Sequence, residues 1–234
     1  MFKLKYLRIG FQPEISAIEL NYFRGAVIKA VNKENVLFHN HEEEGFRYGY
    51  PLIQYKRIRG KPVLVCLQEG TEQIHDFFGR RVTKIQLGNR SVEISIENMN
   101  LKDISLEVSK QHFHYNIENW LALSSDSFKV YKEMESMEER KGFLSRILRG
   151  NLLAMAKGLK WFIKEQVEVK IYQLDGPKMV PYKETKLMAF EATFSCNINL
   201  PSSIGLGKGS AKGFGTITAM RYEEDWHFQQ HTNL

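Results

Sequence analysis

Apolar side chains occupy every second position from Phe2 through Tyr6. That is the period of a strand with one covered face, and it predicts a first strand over residues 2–9. A turn with a capping residue follows at 13–16. Residues 17–33 then read as a helix, with Ile18, Phe23, Val27, Ile28 and Val31 supplying an apolar side and Gly25 weakening it. Two apolar runs, 50–56 and 62–68, flank the basic turn Arg57-Ile58-Arg59-Gly60-Lys61, so they predict a β-hairpin. Residues 71–78 read as a second helix and 92–96 as another strand. The order β-α-β-β-α-β is that of a ferredoxin-like unit ending near residue 100.

The second half begins with strand patterns at 104–108 and 113–123. Residues 133–164 turn helical. A strand at 167–174, a turn at Gly176-Pro177 and a long strand at 186–198 follow, with a last strand over 215–222. This pattern suits a second ferredoxin-like unit over 101–234, although no repeat is visible in the residues. The expected class is therefore α+β, with two such units in tandem. The polar stretch 223–234 reads as a loose tail.

Composition narrows the partners. The chain has 234 residues, 43% of them hydrophobic, and a net charge of +6. That is enough apolar content for a packed core, and the charge favours a polyanionic partner. Two cysteines, Cys66 and Cys196, lie in strand-like runs. They read as buried thiols in a reducing cytoplasm rather than as a disulfide framework. No run is long and apolar enough for a membrane span, and the alternating N-terminus does not read as a signal peptide.

Charge is concentrated in the second-half helix. Residues 140–164 hold seven basic residues and no acidic one. Arg146, Arg149, Lys157, Lys160 and Lys164 gather in one narrow sector of a helical projection, opposite Leu144, Leu148, Leu152, Met155, Leu159 and Phe162. The pattern predicts a core stripe backed by a basic stripe facing nucleic acid. A solvated surface face and a membrane-surface helix are the competing readings. Smaller basic clusters occur at 56–61, including Lys56, and at 80–84.

Residues 205–215 read Gly-Leu-Gly-Lys-Gly-Ser-Ala-Lys-Gly-Phe-Gly, with five glycines, Lys208, Lys212 and no acid. Glycines let backbone approach a ligand closely, and successive N–H groups can form an anion nest. The stretch predicts a phosphate-contacting loop. It does not fit a Walker loop or a dinucleotide fingerprint, because a β-branched strand pattern follows it rather than a helix. Near residue 40, His39 and His41 are the candidates for proton transfer, since histidine both takes and gives a proton near neutral pH. Surface histidines, or a metal site completed by the neighbouring glutamates Glu42, Glu43, Glu44 or by His75, are the alternatives at this point.

The pattern glycine-hydrophobic-glycine, five residues, glycine-hydrophobic-glycine, near the C-terminus and before a strand, resembles the signature loop of the CRISPR-associated Cas-six endoribonucleases. Gly205, Leu206, Gly207, Gly213, Phe214 and Gly215 carry the match. The resemblance implies tandem ferredoxin-like folds and metal-independent cutting of CRISPR repeat RNA, with no cofactor. A ribose 2′-OH attacks the adjacent phosphorus, leaving a 2′,3′-cyclic phosphate and a 5′-OH. The family places its catalytic histidine at or just after the first helix. Members of the type I-B subgroup look similar in having two close histidines and a following tyrosine. This carries the base to His41, the acid or auxiliary role to His39 and an orienting role to Tyr48. Lys208, Lys212 and Lys56 become the candidates to stabilise transition-state charge, and Gly205, Gly207, Gly213 and Gly215 shape the RNA-contacting loop. A homodimer and a CRISPR interference complex come into view as partners, and the expected location is cytoplasmic.

Overall fold

In the computed structural model the described residues are 1–31, 38, 41–42, 45–46, 49–80 and 82–220; for 41–42 and 45–46 the description is of the backbone. They form two compact units. The first comprises Met1–Ser105, Ala154–Phe162 and Gly209–Gly213; the second comprises Leu106–Leu153, Ile163–Lys208 and the chain from Phe214 onward.

In the first unit the N-terminal alternation becomes strand β1 (Phe2–Gln12). Helix α1 (Glu19–Ala30) buries Leu20, Phe23 and Val27. Ser16 and Glu19 close its entry turn reciprocally: the Ser16 N–H donates to Glu19 Oε2 at 2.8 Å and the Glu19 N–H to Ser16 Oγ at 3.4 Å. Two short strands, β2 (His41–Glu42) and β3 (Gly45–Phe46), pair with each other. The hairpin of β4 (Ile53–Ile58) and β5 (Lys61–Leu67) turns on Arg59 and Gly60, both at positive φ, as a two-residue primed turn requires. The predicted second helix is two short ones, α2 (Gly70–Gln73) and α3 (His75–Gly79), divided at Ile74, whose N–H donates to the Glu72 carbonyl. A small hairpin, β6 (Lys84–Leu87) and β7 (Arg90–Glu93), precedes β8 (Ser95–Leu106). The strand expected at 92–96 is thus split between β7 and β8.

The sheet order is β4-β5-β1-β8. Counting the four sheet strands along the chain, this is 2-3-1-4, the ferredoxin-like arrangement. Phe11, Phe23, Tyr55 and Phe77 anchor the core beside Leu64 and Cys66. Phe11 and Phe23 lie 5.6 Å apart, in the range where aromatic pairs add to simple burial.

The second unit repeats that order with unrelated residues. Its sheet runs β10 (Val169–Leu174), β12 (Thr185–Ile198), β9 (Val108–Trp120), β13 (Thr216–Ala219). Again the chain order is 2-3-1-4. Strand β11 (Lys178–Tyr182) pairs only with the start of β12, and its Pro181 sits on an edge where no ladder donor is needed. Helix α4 (Ser125–Glu133) fills the stretch between the strand pattern that ends at 123 and the helical pattern that starts at 133; Ser124 and Ser127 form its capping box. Helix α5 (Met137–Gly158) buries Leu144, Leu148, Leu152 and Met155 completely, as its apolar stripe predicts.

The end of α5 differs from the sequence expectation of 164. The Trp161 N–H donates to the Ala156 carbonyl at 2.8 Å and the Lys160 N–H to the Lys157 carbonyl at 3.1 Å. Lys160 has φ 60°. This is a Schellman stop with a lysine in the left-handed position. Phe162, expected on the core stripe, is consequently 81% exposed. No helix among the described residues is long and apolar enough to cross a membrane. The tail at 223–234 lies outside the described residues.

Candidate functional site

The glycine-rich loop is explained residue by residue. Its approach is pinned by Tyr115, whose hydroxyl donates to the Ile198 carbonyl at 3.2 Å and accepts from the Leu200 N–H at 2.7 Å. Burial on β9 pushes that phenol's pKa upward, so it stays protonated and able to donate. Gly205 then bridges Thr216, and the Leu206 N–H donates to the Gly215 carbonyl at 2.8 Å, which pinches the loop shut. Leu206 is fully buried. At Gly215 (φ 59°) a Cβ would lie 2.0 Å from the Leu206 carbonyl oxygen, so no side chain fits. At Gly207 (φ 78°) a Cβ would lie 2.7 Å from Asn151 Oδ1, the acceptor of the Trp120 indole N–H at 2.9 Å. The hydrophobic letter of the first triplet is therefore an anchor, and the glycines are spaces kept for a carbonyl and an amide.

Beside this neck lies an aromatic and basic surface. The exposed Lys208 carries its ammonium 5.3 Å from the Tyr182 ring centroid. Phe214, the hydrophobic letter of the second triplet, meets Tyr182 edge to face at 5.5 Å. Sequence reasoning misses Tyr182, because Pro181 argues against a strand at β11.

The loop tip, 209–213, belongs to the first unit. Gly209 and Gly213 take φ 74° and 88° around a single 3-10 turn, Ser210–Lys212. A Cβ on Gly213 would lie 2.7 Å from Leu20 Cδ2. Lys56 comes up beneath the tip and donates from Nζ to the Ser210 carbonyl at 2.9 Å. It is fully enclosed, and burial alone lowers its pKa from 10.5 to about 7. This corrects the expectation that Lys56 touches RNA phosphate: its strand is covered by the tip, and its nitrogen faces a protein carbonyl.

Of the basic stripe, Arg146, Arg149 and Lys157 project from α5 and are exposed. Lys160 and Lys164 are exposed but lie beyond the helix, and Lys160 pairs with Glu69 at 2.8 Å. His39 and Tyr48 lie outside the described residues. The backbone of His41 opens β2 and sits in register with Phe46.

Comparison with known proteins agrees with this architecture. Residues 2–105 match the Cas6b N-terminal domain and residues 107–220 the Cas6b C-terminal domain. An uncharacterized protein of Methanocaldococcus jannaschii is 33% identical over 108 residues, covering 46% of this chain and 71% of that one. A crystal structure of Cas6b superposes with a TM-score of 0.82 at 26% identity, covering 94% of this chain and 100% of that one. A crystal structure described as CRISPR RNA processing endoribonuclease Cas6b gives a TM-score of 0.70 at 25% identity, with the same coverage. With both domain families matched in order along nearly its whole described length, the chain belongs to the Cas6b family.

Proposed function

We propose that this chain is a CRISPR repeat endoribonuclease that cuts precursor RNA without a metal ion. The observation that carries the reading is the ordered match of both halves to the two Cas6b domains, together with a solved relative named as a CRISPR RNA processing endoribonuclease. His41 acts as base and takes the proton of a ribose 2′-OH. The oxygen attacks the adjacent phosphorus in line, and His39 gives a proton to the departing 5′-oxygen, with Tyr48 orienting the pair. One product ends in a 2′,3′-cyclic phosphate and the other begins with a 5′-OH.

The RNA lies against the loop and the basic residues. Gly205, Gly207, Gly213 and Gly215 set the course of the loop backbone, and Lys208 and Lys212 add charge beside it. Arg146, Arg149, Lys157, Lys160 and Lys164 supply salt-sensitive phosphate contacts. Tyr182 and Phe214 offer ring surface to an unstacked base.

The test is cleavage of repeat RNA in excess EDTA by wild type, His41→Ala and His39→Ala. The reading requires one cut by wild type, abolished in at least one variant while RNA affinity stays within about threefold. Salt-sensitive binding without any cut would make the chain a non-catalytic RNA-binding protein of the same fold.

A further inference from the structure

Among the described residues, Lys56 is the charged side chain that is buried. A methionine of similar length would fill the same space without desolvating a nitrogen, so what lysine adds there is a donor. Three observations say what the donor serves. Strand β4 is the end strand of its sheet, yet residues 52–56 are all buried. The 3-10 turn at the loop tip packs on β4 and on α1. Within the tip, Gly209 and Gly213 flank the turn in left-handed conformations, and the Lys212 N–H donates to the Gly209 carbonyl at 2.7 Å. The two left-handed glycines give the backbone little stiffness of its own.

We propose that Lys56 is the positioning residue of the glycine-rich loop: the bond from Nζ to the Ser210 carbonyl fixes where residues 209–213 hold their backbone N–H groups. The close seat at Gly213, where a Cβ would lie 2.7 Å from Leu20 Cδ2 and 3.5 Å from the Tyr55 carbonyl oxygen, sets the height of the tip, and Lys56 keeps it there. Both the ammonium and the neutral amine carry N–H donors, so the tether holds in either protonation state. Its consequence for RNA rests on the function proposed above; its consequence for the loop does not.

The test uses Lys56→Met in the full chain, with two readouts. Amide hydrogen exchange in peptides covering 205–216 is expected to quicken by about tenfold or more at 209–213. Repeat RNA binding is expected to weaken by about tenfold, with global stability at pH 7 unchanged or higher. A substitution that merely loosened the core would lower stability as well. Unchanged loop exchange overturns the tether. Faster exchange with unchanged RNA affinity upholds the tether and removes the loop from the RNA surface, which is a failure of the functional reading instead. Should Lys56→Met fail to fold, Gly213→Ala probes the same seat from the other side, by straining the left-handed backbone there (φ 88°) while crowding Leu20. There the carbon NMR signal of Lys56 Cε is expected to titrate at higher pH than in wild type, towards ordinary lysine. An unmoved titration, with unmoved loop exchange, overturns the proposal.

Discussion

Replacing Lys56 by methionine changes stability in a way that depends on pH, and the structure fixes the sign. Burial lowers the Lys56 pKa from 10.5 to about 7 in the folded chain. Above pH 10.5 the amine is neutral in both states and costs nothing through titration. As the pH falls from 10.5 to 7 the unfolded chain takes up a proton that the folded chain does not, so stability is lost across that window. Below about pH 7 both states are protonated and the loss levels off. Linkage puts the accumulated cost near ~4 kcal/mol at pH 7 and near ~2 kcal/mol at pH 9. Methionine removes it but leaves the Ser210 carbonyl without this donor, at a cost of about 1–3 kcal/mol that does not vary with pH. The assay is urea unfolding of both proteins between pH 7 and 9. Other titrating groups cancel in the difference, including Cys66 and Cys196, whose thiols burial pushes up to about 12. The advantage of Lys56→Met over wild type should shrink by about 2 kcal/mol from pH 7 to pH 9. Parallel curves, with a difference constant to about 0.5 kcal/mol, would refute the buried amine.

Three further outcomes follow from the same geometry. Gly215→Ala drives a Cβ into the Leu206 carbonyl at a left-handed φ, so it should cost at least ~2 kcal/mol in urea unfolding and weaken RNA binding as the neck opens. Asn151→Ala takes the acceptor from the Trp120 indole and should cost about 1–3 kcal/mol, read by denaturant midpoint at unchanged slope. Arg146→Ala with Arg149→Ala should flatten the plot of log affinity against log salt, by about 0.7 for each phosphate of single-stranded RNA that is no longer neutralised, leaving sequence preference intact; an unchanged slope removes these residues from the interface.

Much of the fold is written in local pattern. The hairpin at Arg59-Gly60 follows from turn chemistry and the alternation on either side of it. The buried row Leu144, Leu148, Leu152, Met155 follows from helical spacing. The failures have physical causes too. Helix α5 stops at 158 through a left-handed Lys160, a position where glycine is the usual signal, so the helical spacing alone runs on to 164. Helix α4 is short, and its Ser-rich cap resembles a turn. Strand β11 carries a proline that speaks against a strand unless the position is known to be an edge. In the site, glycine spacing identifies the loop; the steric need at Gly215 comes from nearby Leu206, whereas that at Gly207 comes from Asn151 and Trp120, far away in sequence. The tether from Lys56 to Ser210 spans 154 residues, and no local pattern can announce it. In the sequence, Lys56 is one more basic residue beside a turn.

In the proposed mechanism the RNA's own 2′-OH is the nucleophile. The measurement that meets it most directly uses repeat RNA with a single 2′-deoxy nucleotide immediately 5′ of the cut, in excess EDTA, with binding and cleavage followed on the same sample. The proposed mechanism requires that wild-type protein bind this RNA within about threefold of the unmodified repeat yet not cut it, while the unmodified repeat yields a 2′,3′-cyclic phosphate end. Cleavage of the deoxy-substituted RNA at the normal rate would contradict it, because the attacking oxygen would then have to come from water.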